Sequence, residues 1–261
     1  MAVVLQLTAA SSNLRAYLDS YDANFTYNGN GWFNGIAGGE DQWVAGTSTY
    51  IGTPTNGELS AIMDIVDYSY TPGAFNGQVT QLALGVNLVQ DYNNDIFTQT
   101  NQLIITPESG YLPITSTFNE AIYALSHGGA VDGGTYTFTI PGQAPVTQEF
   151  AGLTDYFAEQ GTIQIGNVGL NDVLVGFGGQ DTFVFQEGSG TEDTVNNFDV
   201  AQDLLDVSAW GATSLTDLNI AVDAGDTIIY SADFSDGIVV TGVTDLTVSN
   251  FVFADSLALA A

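Results

Sequence analysis

Asn167-Val-Gly-Leu-Asn-Asp-Val-Leu-Val175 runs directly into Gly176-Phe-Gly-Gly-Gln-Asp-Thr-Phe-Val184, and these two segments decide how the C-terminal part of the chain is read. They are nine-residue units that put Asp172 and Asp181 in register (181 − 172 = 9), with Leu174 and Phe183 likewise aligned. A glycine-rich half that turns tightly, then an aspartate, then a short strand with one apolar inward residue is the repeat of a parallel β-roll that wraps calcium in oxygens. The first unit departs from the repeat at Leu170, where a glycine belongs. The expectation is at least one calcium ion between the two units, bound by the carboxylates of Asp172 and Asp181 and by carbonyls near Gly176 and Gly178. A Gly/Asp-rich hairpin without an ion is the alternative for so short a repeat.

Composition points the same way. Arg15 is the sole Lys or Arg against 30 acidic residues, giving a formal net charge of −29. Nucleic acid and anionic lipid would be repelled, which leaves cations, neutral surfaces or copies of the chain itself as partners. Of the acids, 13 lie in residues 1–150 and 17 in residues 151–261, so the shorter C-terminal part would gain most from bound cations. Hydrophobic residues make up 45% of the 261, enough for two cores. Cysteine is absent, which removes disulfides, thiolate metal sites and cysteine nucleophiles together.

Met1-Ala-Val-Val-Leu-Gln-Leu-Thr8 lacks the positive n-region and long apolar core of a secretory signal, and no stretch approaches the length of a membrane span. Calcium sites built from few repeats fill at the high calcium outside the cell. Export by a route that uses no N-terminal signal is therefore expected.

Residues 1–160 read as an α+β domain. Ser12–Tyr21 places Leu14, Tyr17, Leu18 and Tyr21 on one helical face with Ser12 as N-cap. A second helix is expected to begin near Thr117, whose spacing to Glu120 fits a capping box, and to end at Gly128-Gly129. A third is expected from Val146 to Glu159. The segments 61–70, 78–84 and 135–140 carry the alternation and the β-branched or aromatic content of strands. Residues 161–261 read as all β, with short strands at 183–185, 194–198, 203–207, 227–230, 238–241 and 251–253, expected to form a short parallel β-roll that continues into a small sandwich.

Asp181-Thr-Phe-Val-Phe185, Glu192-Asp-Thr-Val-Asn-Asn-Phe198, Gln202-Asp-Leu-Leu-Asp-Val-Ser208 and Thr241-Gly-Val243 resemble, in order and spacing, the C-terminal calcium module shared by RTX proteins and serralysin-type proteases. That resemblance implies calcium as cofactor, adds Asp193 and Asp203 as ligands, and implies export by a type I secretion system that reads an uncleaved C-terminal signal. The tail Asp255-Ser-Leu-Ala-Leu-Ala-Ala261 is similar to such signals. The N-terminal part resembles bacterial haemophores through Leu14-Arg-Ala-Tyr-Leu18, Trp32-Phe-Asn-Gly35, Phe75-Asn-Gly-Gln-Val79 and the helix Phe118–Leu125. Haemophores hold iron with a His on one loop and a Tyr with a nearby His on the other. Here Asn28–Gly39 contains no His, and the second loop keeps Tyr68 and Tyr70 as haem candidates but also has no His.

The single histidine, His127, falls at a helix C-terminus, where capping the dipole is its ordinary role. No His-Glu-x-x-His motif and no Gly-x-Ser-x-Gly elbow occurs, and no catalytic set stands out, so the chain is expected not to be an enzyme. The reading reached is a secreted calcium-binding structural subunit of an extracellular filament or surface layer. Its partners would be copies of itself and the type I secretion machinery. The alternative is an extracellular haem or small-ligand binder of the haemophore type.

Overall fold

The computed structural model describes residues 1–26, 32–35, 40–71, 74–94, 96–138, 144–188 and 190–254, with residues 32–35, 40, 70, 71, 74 and 138 described in backbone only. The chain divides into two compact units, one of Met1 with Leu18–Phe157 and the other of Ala2–Tyr17 with Ala158–Ala261. Strand β1 (Val3–Leu7) and the start of helix α1 (Leu14–Asn24) thus group with the second unit. Helix α1 follows the expected face, with Leu14, Leu18 and Tyr21 buried, but its cap is Asn13, whose Oδ1 accepts the Ala16 N–H at 3.0 Å.

In the first unit, β2 (Trp32–Gly35), β3 (Glu40–Gly46), β4 (Thr49–Tyr50), β5 (Leu59–Thr71), β6 (Ala74–Asp91) and β7 (Ile96–Pro107) build one sheet. The order β7-β6-β5-β3-β2 is antiparallel throughout, and β4 joins parallel to β6. Cross-strand neighbours Trp43, Met63, Leu82 and Ile105 form a buried row, and Val44, Ile62, Leu88 and Phe97 form a second buried cluster. Residues 43 and 44 point to opposite faces of β3, so both faces of this sheet carry apolar side chains out of water.

Helix α2 (Ser116–Gly128) begins two residues earlier than the capping box predicted. The N-cap is Thr115, whose side chain accepts the Phe118 N–H at 3.2 Å, while Glu120 Oε2 accepts the Ala151 N–H at 3.0 Å. The helix ends at Gly129, which adopts φ +67 and donates to the Leu125 carbonyl. A Cβ there would also sit 2.2 Å from the Phe25 Cβ and 2.4 Å from its Cγ, so only glycine fits.

The predicted third helix splits in two. Val146–Phe150 is a strand, β9, paired antiparallel with β8 (Gly134–Phe138), and helix α3 occupies only Leu153–Gln160. Gly152 forces the break. Its Cα approaches Gly133 so closely that a Cβ would lie 2.1 Å from the Gly133 nitrogen, and its N–H is taken by Asp155 Oδ2 at 2.8 Å as the cap of α3.

The second unit is a parallel coil. Strands β10 (Thr162–Ile165), β11 (Val173–Val175), β12 (Asp181–Val184), β13 (Glu192–Asn196) and β14 (Leu204–Asp206) alternate between two sheets. The hairpin β15 (Asn219–Asp223) and β16 (Asp226–Tyr230) then intervenes before β17 (Gly237–Val240) and β18 (Phe251–Val252) resume the alternation. The first sheet stacks β1, β10, β12, β14 and β18, all parallel. The second runs β11-β13-β17-β16-β15, parallel through β17 and antiparallel in the hairpin. Registered positions form inward columns: Leu5, Gln164, Phe183, Leu205 and Phe251 in the first sheet, and Leu174, Val195 and Val240 in the second, all buried.

This corrects the expected fold class. Among the described residues the chain is largely β with three α-helices, so its first unit is not an α+β domain but is dominated by six sheet strands. The strands after the repeats form no separate sandwich, because they keep returning to the same two sheets. Val3, Leu5 and Leu7 are buried, and β1 is paired with β10.

Candidate metal centre

Each turn of the coil places an aspartate where a strand begins. Asp172 precedes β11 and Asp193 lies in β13, both in the second sheet; Asp181 opens β12 and Asp203 precedes β14, both in the first. All four are buried, at 0%, 7%, 0% and 1% exposure for Asp172, Asp193, Asp181 and Asp203. The nine-residue period is therefore half a coil, and consecutive units supply alternate sheets. The carboxylates that meet are one full coil apart. The Asp172 N–H donates to Asp193 Oδ1 at 2.8 Å across 21 residues, and the Asp181 N–H to Asp203 Oδ1 at 2.9 Å across 22. Asp172 and Asp181, paired in the sequence reading, start strands of different sheets; the pairs are Asp172 with Asp193 and Asp181 with Asp203.

Around the first pair, Asn167 donates to Asp172 through both its backbone N–H and its side-chain amide. A Cβ on Gly166 would sit 2.8 Å from Asp172 Oδ2, so the turn closes over the carboxylate only because that residue is glycine. Asp236, also buried, accepts from Gly188 N–H at 3.2 Å and from Ser235 Oγ at 3.1 Å.

Around the second pair, Asp181 Oδ1 accepts from Thr162 Oγ1 at 2.6 Å and from its N–H at 3.0 Å, while Oδ2 takes the Phe177 N–H at 2.7 Å. Asp203 Oδ2 takes the Asp199 N–H at 2.8 Å. Gly176 packs against the next turn: a Cβ would be 2.4 Å from the Asn197 carbonyl oxygen and 3.4 Å from Asp203 Oδ2. Gly178, at φ +101, turns its carbonyl toward Gln202, whose side-chain amide donates to it at 3.3 Å.

The electrostatics follow from burial, which outweighs the hydrogen bonds to these carboxylates. Desolvation pushes the carboxyls of Asp172 and Asp181 above the usual range, against the hydrogen bonds that pull them down. Asp193 is pushed up to about 6 by desolvation, with the charges of Asp172 and Asp236 adding to the effect. Asp203 is likewise pushed up to about 6 by desolvation, with Asp181 and Asp199 adding. Among the described residues no three His, Asp or Glu side chains converge as a ready-made cation cage. What the turns offer are pairs of carboxylates beside glycine turns, and these are hard oxygen donors of the kind calcium takes.

Tyr68 is half-buried on β5, where an irregularity in the pairing with β6 leaves Asp67 at φ +54. The side chain of Tyr70, most of the loop Asn28–Gly39, residues 72–73 and the tail 255–261 lie outside the described residues. His127 sits in the last turn of α2, its Nδ1 2.9 Å from the Tyr123 carbonyl oxygen and its ring stacked on Tyr123 at 3.8 Å. Among the described residues no helix is long and apolar enough to cross a membrane. Sequence reasoning missed Asp236; the signal was there in Asp233-Phe-Ser-Asp236-Gly237, an aspartate followed by a strand as in the two repeats.

No family model matches the chain, so the RTX-like resemblance of the C-terminal part finds no support there. No curated protein matches it. Among solved structures, the chain is similar to the apo hemophore HasA from Yersinia pestis, at 17% identity and a TM-score of 0.36, over 49% of this chain and 82% of that one. It is also similar to a monomeric HasA variant from Yersinia pseudotuberculosis, at 16% identity and a TM-score of 0.36, over 49% of this chain and 84% of that one. The likeness is distant and spans half of the chain.

Proposed function

We propose that the chain is a secreted, calcium-stabilised structural protein that associates with its own copies in an extracellular filament or surface layer, and that it is not an enzyme. The observation that carries this reading is the burial of Asp172, Asp181, Asp193 and Asp203 in a chain whose only Lys or Arg is Arg15. Asp193 and Asp203, pushed up to about 6, are ionised at neutral pH at a cost to the fold, and burial raises Asp172 and Asp181 in the same direction. A divalent cation offsets that cost where a proton otherwise would. The donors favour calcium over zinc, being carboxylate and carbonyl oxygens in a chain with no cysteine. Asp181, Asp203 and carbonyls near Gly176 and Gly178 would hold one ion, and Asp172 and Asp193 another.

The extracellular assignment rests on the calcium level such sites need, and the type I export route on the tail resemblance. Self-association would depend on the same cations. Copies each carrying −29 repel one another until cations screen or neutralise them. Haem binding has no comparable support, since no histidine stands beside Tyr68 and Tyr70 in the sequence of β5.

Scanning calorimetry with calcium and then with a chelator tests the reading. Calcium at about 100 times its dissociation constant should stabilise the fold by about 3 kcal/mol, and negative-stain microscopy should show ordered assemblies that loosen in chelator. Identical melting with and without millimolar calcium would overturn it.

A further inference from the structure

The β15–β16 hairpin leaves one edge of the second sheet open. Strand β15 ends the order β11-β13-β17-β16-β15, and among the described residues nothing pairs with its outer side. Four of its five residues are exposed, including Ile220 at 42% and Val222 at 56%. It carries neither the proline nor the lysine that commonly blunts such an edge.

The turn fixes which backbone groups face outward. Ala224 and Gly225 form a two-residue loop with φ +53 and +100, the mirror-image turn that closes tight hairpins. In such a hairpin the closing pair, Asp223 and Asp226, exchanges both hydrogen bonds, and bonded and non-bonded pairs alternate from there. Asn219, Ala221 and Asp223 therefore turn their N–H and C=O toward β16. Ile220 and Val222 turn theirs to the open edge.

We propose that this edge pairs antiparallel with the same edge of a second copy, about a two-fold axis at Ala221. In that register Ile220 exchanges both backbone bonds with the partner's Val222, and Val222 with the partner's Ile220, so every outward group of the strand is satisfied. A register shifted by two residues leaves one of the pair without a partner. The side chains agree with the backbone: Ile220 meets the partner's Val222 on one face, and Ala221 meets the partner's Ala221 on the other. Asp223, the strand's single charge, faces the partner's Asn219 rather than another carboxylate. In a chain of net charge −29, that arrangement brings backbones together without setting like charges opposite one another.

The proposal rests on the self-association reading and adds where copies touch. The chain has no cysteine, so a single introduced one reports position without background. Ala221→Cys would form a non-bonded pair across the axis, with Cα atoms about 4.5 Å apart, within disulfide reach. Ile220→Cys would lie diagonally from its own copy at about 7–8 Å or more, beyond it. Under mild oxidation in millimolar calcium, Ala221→Cys should run as a covalent dimer on a non-reducing gel and Ile220→Cys should not. The double variant Ile220→Lys/Val222→Lys changes only exposed side chains; it should keep its circular dichroism and lose the dimer in sedimentation velocity. If the parent associates while Ala221→Cys fails to cross-link and the double variant still associates, this interface is wrong and the self-association reading stands. A parent that is monomeric at high concentration overturns both.

Discussion

Gln164 takes both backbone polar groups of Val175 across the interior of the coil: its side-chain Nε2 donates to the Val175 carbonyl at 2.7 Å, and its Oε1 accepts the Val175 N–H at 3.2 Å. Gln164 is fully buried, second in the otherwise apolar column from Leu5 to Phe251. The first unit uses the same device, with buried Gln42 bonded to the N–H of Phe97 at 2.8 Å and to its carbonyl at 3.2 Å. In both places a strand residue lacks a neighbour for those groups, and an amide of fixed geometry stands in for the missing backbone.

Replacing Gln164 with Leu keeps the volume but strands a buried N–H and a buried C=O, each worth about 1–3 kcal/mol when unsatisfied. The variant should lose about 2–5 kcal/mol in urea unfolding followed by tryptophan fluorescence. Leu is the ordinary residue for such a column, so a neutral result would mean that Val175 finds other partners.

The raised carboxyls set a pH dependence whose sign is opposite to ordinary acid denaturation. Asp193 and Asp203 titrate near about 6 in the folded chain, against about 3.9 for an unfolded aspartate. Protons are bound more tightly by the folded state. The stabilisation is complete below the unfolded value and is lost as pH rises through about 6. In chelator, the melting temperature should fall between pH 4 and pH 7 by several degrees, on the order of 1 kcal/mol or more. Saturating calcium should flatten that slope, because the cation takes over the proton's role. A melting temperature that climbs steadily over this range in chelator would contradict the burial argument.

Asp193→Asn separates the two roles of the carboxylate. An amide can keep accepting the Asp172 N–H, which now reaches Asp193 Oδ1 at 2.8 Å, while removing the charge that Asp172 and Asp236 oppose. Without calcium at neutral pH the variant should match or exceed the parent, by about 1 kcal/mol. With calcium it should gain less than the parent. Calorimetry in both conditions reads the crossing of the two stabilities, and a variant weaker than the parent in chelator would show that the charge itself holds the turn.

Much of this was legible in short-range pattern. The alternation in 61–70 and 78–84 gave strands where β5 and β6 lie, and the apolar stripe Phe118, Ala121, Ile122 and Leu125 gave α2. The errors lie where a distant residue decides. Val146-Thr-Gln-Glu-Phe150 can join a helical period, and its antiparallel pairing with β8 makes it a strand. The nine-residue period was visible, but not that it covers half a coil, because partners at 21 and 22 residues are separated by turns of unequal length. Strand β15 escaped notice because the apolar residues of Asn219-Ile-Ala-Val-Asp223 are exposed rather than packed on a core.

The N-terminal strand is an integral part of the coil. Were residues 2–8 a loose segment, they would be dispensable for folding. In the structure Val3, Leu5 and Leu7 are 0%, 0% and 2% exposed, and the Val3 N–H donates to the Gly161 carbonyl at 3.0 Å beside the parallel ladder to β10. Burying three such side chains contributes roughly 1.5–3 kcal/mol each, a sum comparable to the about 5–15 kcal/mol that holds a whole domain. Removing residues 2–8 should therefore unfold the coil rather than yield a folded monomer, with loss of its cooperative melting transition. The milder Leu5→Ala should cost about 2–5 kcal/mol and leave the transition cooperative at a lower temperature. A truncated chain that melts like the parent would show that the strand is not part of the folding core.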